Sequence, residues 1–166
     1  MQVSNVTKTR RRAGAIALTS MLSAAALVAG TISAAHATGT LDVDPTTGVV
    51  DGGSVEVSGT GYTQNVNGDV QLRVALCDLD EYLNSGVVLC DTTNAEIVDL
   101  DSNGDFSDLE LNVDQVFTGF HYGTSTIETV TCAGSVPVTG DSQCAVFTSQ
   151  YGAGYLNISY EPITFN

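Results

Sequence analysis

Asp99, Asp101, Asn103, Gly104 and Glu110 stand at the spacing of an EF-hand calcium loop. The chemistry would be sound. Carboxylates at alternate positions converge on a hard cation, a glycine turns the chain, and a distal glutamate closes the shell. The runs on either side are strand-like, however, and lack the helices of an EF-hand. Asn103-Gly104 between two alternating runs also signals a hairpin, so a turn without a metal is the expectation. Cys77, Cys90, Cys132 and Cys144 contain no CxxC pair, and His121 is the one histidine outside the leader, which disfavours zinc. In an oxidising compartment four cysteines predict two disulfides. Three connectivities exist, and pairing Cys77 with Cys90 and Cys132 with Cys144 is the simplest. No catalytic constellation is present. The serines follow no GxSxG elbow, and no spacing singles out a pair of carboxylates for glycoside hydrolysis. Neither an enzyme nor a required cofactor is expected.

Arg73 is the only lysine or arginine beyond position 12; Lys8, Arg10, Arg11 and Arg12 precede it, and all 19 acidic residues follow Arg12. A guanidinium can stack on an aromatic guest or pair with a carboxylate or enolate. It can equally pair with a nearby aspartate such as Asp78 or Asp91. The acidic surface keeps a protein dispersed and repels phosphate backbones, so direct nucleic-acid binding by the polypeptide is not expected.

The elements that would position these residues begin after a leader. A basic stretch, TKTRRR, precedes an apolar run and then Ala35-His36-Ala37, the pattern of a secretory signal peptide over residues 1–37. Cleavage after Ala37 leaves one acidic domain, residues 38–166, with no membrane anchor and an extracellular destination. A monomer is expected.

No helical period stands out beyond the leader. Short alternating runs are separated by turn signals such as DPTTG, DGG, VNGD and DSNGD. Val55 and Val57 share one face. Val70, Leu72, Val74 and Leu76 share another, with Gln71, Arg73, Ala75 and Cys77 opposite. Leu109, Leu111 and Val113 alternate with polar residues, and TIETVTC, QCAVFTS, YLNISY and PITF complete the set. Seven or more strands of this kind predict an all-β, antiparallel β-sandwich, with a small barrel as the alternative. Phe117, Phe120 and Tyr122, around Gly119 and Gly123, fit either core filling or a pocket wall.

Several runs resemble the neocarzinostatin family of enediyne chromoprotein apoproteins. They are VDPTTGVVDGGSVEVSGTGY from Val43 to Tyr62, GVVLC ending at Cys90, DSNGDF, VFTGF from Val116 to Phe120, TVTC ending at Cys132, QCAV from Gln143, and the terminal ITFN. The resemblance covers nearly all of residues 40–166. It implies an immunoglobulin-like, seven-stranded sandwich, the two sequence-local disulfides, and a cleft between the sandwich and a small ribbon. In that family the cleft holds a non-covalent, apolar enediyne chromophore, which damages DNA once released.

Carried over by position, the resemblance implies a ligand site of Arg73, Ala75, Leu79, Val88, Ala95, Tyr122, Phe147 and Ser149, beside Cys77. The chain departs from the family in having no tryptophan. Ala95 and Tyr122 stand where the family carries phenylalanine, Ala75 replaces a glycine, and Phe147 would fill space the family leaves open. EYLNSG and AGSVPVTGDSQ lengthen the two disulfide loops. The expectation is a secreted, non-enzymatic carrier of an apolar small molecule. The alternative is a secreted immunoglobulin-like interaction module that has lost the chromophore and binds a protein or cell-surface partner.

Overall fold

The computed structural model describes residues 39–63, 71–121, 124–150 and 158–166. The expectations for the leader, residues 1–37, and for Tyr122 lie outside them. The described residues form eleven strands and one helix. A three-stranded sheet places β3 (Gly53–Thr60) between β1 (Thr40–Asp44) and β7 (Phe106–Val113), all antiparallel. The larger sheet starts at β2 (Thr47–Val49) and runs through β11 (Ser159–Phe165), β10 (Cys144–Gln150), β4 (Gln71–Asp78), β5 (Leu89–Asp91) and β8 (Val116–His121) to β9 (Ile127–Thr131). The short β6 (Glu96–Asp99) pairs with β4 off that path.

Alternation explains the layers. Val55, Val57, Leu111 and Val113 from one sheet meet Leu72, Val74, Leu76, Val146 and Phe165 from the other, and all are buried. Successive side chains point to opposite faces of a strand, so each valine-polar repeat commits one face to this core. The sandwich is therefore the expected one. Beyond the seven strands anticipated, short segments such as β2, β5 and β6 subdivide its borders.

Both disulfides are sequence-local. Cys77–Cys90 ties β4 to β5, and Cys132–Cys144 ties the end of β9 to the start of β10.

Two local readings are corrected. The chain is not free of helix: α1 (Leu79–Ser85) lies inside the Cys77–Cys90 loop. Asp78 is its N-cap and accepts from the Glu81 amide at 2.9 Å, while Gly86 ends it in the left-handed conformation. Asp78 and Glu81 match a capping-box spacing, a signal that strand periodicity masks. The DSNGD turn also differs from a hairpin. It is tight, with Gly104 N–H donating to the Asp101 carbonyl at 3.0 Å, but β6 pairs with β4 and β7 with β3, so the turn carries the chain from one sheet to the other. Gly104 has φ +84°, and a Cβ there would collide with the Tyr62 carbonyl oxygen.

Candidate functional site

The outward face of the larger sheet collects the residues predicted to bind a guest. In the β4–β10 ladder Arg73 stands opposite Ser149, Ala75 opposite Phe147, and Cys77 opposite Ala145. Across β10, Phe147 faces Tyr160 of β11; across β4, Arg73 faces Ile97 of β6. On the other flank the face continues from Cys90 to Phe120 and Ile127. The strand register therefore brings Arg73, Ala75, Phe147 and Ser149 into one patch. Leu79 and Val88 join its buried cluster, and Ala95 packs against it partly buried. Tyr122 lies outside the described residues.

The patch has two ends of different character. At the Cys77 end, Ala75, Leu79, Val88 and Phe147 are all buried, and Phe147 is only 3% exposed. The covering comes from the chain itself. Tyr82 of α1 sets its ring edge-on to Phe147, with centroids 5.2 Å apart and planes at 87°. Tyr160 stacks on Phe147 at 5.2 Å and 23°, and meets Tyr82 at 5.9 Å. These are favourable aromatic geometries. At the other end Arg73 and Ser149 are half-buried, and Ile97 is 48% exposed.

The helix that brings Tyr82 into place is pinned at its start. Leu79 N–H donates to the Gln143 carbonyl at 2.8 Å, and the Gln143 amide donates to Asp80 Oδ2 at 2.8 Å. These bonds tie the two disulfide loops together. Leu79 anchors the first turn in the buried cluster, and Tyr82, three residues on, lies over the same side.

Charge is partitioned between the two sheets. Among described strand positions that alternate outward from the larger sheet, Arg73 carries the only cation and Asp99 the only carboxylate. Asp99 sits at the far corner, where it accepts from Gln71 Nε2 at 2.8 Å. The outward face of the smaller sheet is acidic instead: Asp44 faces Glu56, and Glu56 faces Glu110. The described outward strand positions of the larger sheet are thus nearly free of carboxylates.

The calcium-type residues are dispersed and occupied by protein donors. Asp101 Oδ1 accepts from the amides of Asn103 at 2.8 Å and Asp105 at 2.9 Å. The Asp105 bond is the largest cause that holds the Asp101 carboxyl below its usual range, followed by the Asn103 bond. Asn103 Nδ2 reaches Asp101 Oδ2 at 3.2 Å. Glu110 lies in the other sheet and accepts from Ser54 Oγ at 2.7 Å. No three His, Cys, Asp or Glu side chains among the described residues are grouped to hold a metal. His121 turns inward opposite Leu89, on the other face from the patch, with Glu128 at 3.7 Å.

Sequence reading missed Tyr82, Tyr160 and Ile97. The capping box could have located the helix of Tyr82, and alternation in β11 could have placed Tyr160. Of the glycine-spaced aromatics, Phe117 fills the core and Phe120 lies on the outward face beside Cys90.

A model of the neocarzinostatin family matches residues 41–154. Among solved structures, macromomycin is similar with a TM-score of 0.60 at 25% identity, covering 77% of this chain and 99% of that one. Apokedarcidin shares the fold with a TM-score of 0.52 at 21% identity, covering 78% of this chain and 99% of that one. No curated protein matches. With the sandwich, its two local disulfides and the family match over most of its length, the chain belongs to the neocarzinostatin family.

Proposed function

We propose that the chain is a secreted, non-enzymatic carrier of an apolar small molecule of the enediyne-chromophore type, seated on the outward face of the larger sheet. The observation that carries this reading is the charge partition: a chain with 19 acids keeps its outward apolar strands almost free of them and sets its one non-leader cation there. Arg73 and Ser149 orient the guest, and Phe147, Tyr160 and Ile97 supply contact area. A guest that buries about 300 Å² of apolar surface would gain roughly 7 kcal/mol before ordering costs. The protein shelters the guest, and a released chromophore, not the acidic polypeptide, reaches DNA. The carrier acts as a monomer.

The test is purification from the native culture, followed by absorption beyond about 300 nm and mass spectrometry of an organic extract. A stoichiometric aromatic guest is expected. A colourless protein with nothing extractable would reject the carrier reading.

One observation favours a second reading, an interaction module. The Cys77 end of the face is closed by the protein's own rings, while Val136 and Val138, 78% and 65% exposed, project from the lengthened second disulfide loop. A pull-down with surface proteins that Val136→Ser abolishes, from a protein without a guest, is the result that would favour it.

A further inference from the structure

We propose that Tyr82 is a built-in occupant of the guest position, which a guest must displace. The inference rests on the carrier reading and adds a gate to it. Ala75 and Phe147 are cross-strand partners on the face predicted to take a guest, yet both are buried. Among the described residues the Tyr82 ring packs edge-on against Phe147, one of the two arrangements that aromatic pairs favour. Tyr160 completes the contact from β11, so three rings fill the place of two walls and a ligand.

Tyr82 is built to leave. No hydrogen bond holds its hydroxyl among the described residues; ring contacts with Phe147 and Tyr160 and apolar packing against the outer cluster hold the side chain. The residue is itself part-exposed. The backbone beneath it is fixed: Asp78 caps the helix, and Gln143 holds Leu79 and Asp80. Opening is therefore a rotation of one side chain about its χ angles, with no change of fold. Such rotations are fast, so the gate would lower affinity more than entry rate.

The physical consequence is competition. A guest ring replaces the Tyr82 edge contacts and so gains only the difference between its own packing and theirs. Removing the Tyr82 ring should raise affinity about tenfold, the factor that two lost edge contacts would yield. The gate also selects: small or weakly stacking molecules could not displace it, whereas an extended aromatic could.

The experiment uses the intact, oxidised protein and anilinonaphthalene sulfonate as the probe. Fluorescence titrations would compare wild type, Tyr82→Ala and Tyr82→Phe. The expected result is that Tyr82→Ala binds about tenfold tighter, while Tyr82→Phe, which keeps the ring, matches wild type. Equal or weaker binding by Tyr82→Ala, with wild-type binding measurable, would overturn the gate and leave the carrier reading standing. Absence of binding to all three would overturn both. Because Tyr82→Ala could loosen the fold, proton NMR of the wild type provides an independent readout. The NOEs between the ring protons of Tyr82 and Phe147 should vanish as the probe binds. NOEs that persist in the bound state would overturn the proposal whatever the variant does.

Discussion

Phe147 and Tyr160 are direct partners across the β10–β11 ladder, and their rings stack with centroids 5.2 Å apart. Phe147 belongs to a second, small buried cluster on the outside of the sheet, separate from the core between the sheets, and Tyr160 stacks on it from the exposed side. Phe147→Ala should therefore destabilise the protein as strongly as a core deletion, by about 3–4 kcal/mol in urea unfolding. Tyr160→Ala should cost less, because Tyr160 is 39% exposed. Equal costs would show that the outer cluster is not a packed unit.

Arg73 faces Ser149 and Ile97 on neighbouring strands. Under the carrier reading, Arg73→Ala should weaken binding of an aromatic carboxylate roughly tenfold, with a smaller effect at high salt. Arg73→Lys should restore charge but not planar stacking, and so recover only part of the affinity. Calorimetric titration at two ionic strengths checks this. Unchanged affinity in Arg73→Ala would remove the guanidinium from the site.

The turn at Gly104 separates two backbone effects. Gly104 and Gly61 both have positive φ, but a Cβ at Gly104 would strike the Tyr62 carbonyl, whereas one at Gly61 meets nothing within 4 Å. Gly104→Ala should cost about 2–3 kcal/mol or more, and Gly61→Ala about 1 kcal/mol. Thermal unfolding of the two variants side by side is the measurement, and equal losses would place the cost in φ alone.

Asp101 supplies an acid-sensitive element. Amides of Asp105 and Asn103 stabilise its carboxylate and lower its pKa in the folded chain. Its contribution is present above the unfolded value near pH 4 and is lost as pH falls through the lower, folded value. Asp101→Asn keeps an acceptor oxygen for the turn but removes the titration. The stability gap between wild type and variant should close on acidification, as melting curves across the acid range would show. A constant gap would mean that Asp101 acts without its charge.

The Cys77–Cys90 bridge closes the loop that carries α1, with a sequence separation of 13. Replacing both cysteines with alanine should cost about 3 kcal/mol, as the chain-entropy model gives for a loop of this size. It should also loosen the helix. Hydrogen exchange should then quicken at Tyr82–Gly86 before it does in β3.

Much of the sandwich was legible locally. Val55, Val57, Leu72, Val74 and Leu76 announce their shared inward face by alternation alone, and all are buried. The helix has local signals too, in Asp78, Glu81 and Gly86, but the two-residue alternation that runs into it from β4 obscures them. The DSNGD turn illustrates a limit. Its local chemistry fixes a tight reversal, yet nothing in those residues says whether the two strands pair with each other or with different sheets.

By itself the chain order determined which side chains share a strand face, hence that Arg73, Ala75 and Cys77 point together and away from the core. It also set Arg73, the one basic residue beyond position 12, on that face. Only the tertiary structure decided that Arg73 meets Ser149, that Phe147 meets Tyr160, and that Tyr82 lies over both rings. The reason is physical. Side-chain direction follows from local backbone chirality and periodicity, whereas register between strands and the docking of a helix join residues far apart in sequence, through packing energies that no local pattern encodes.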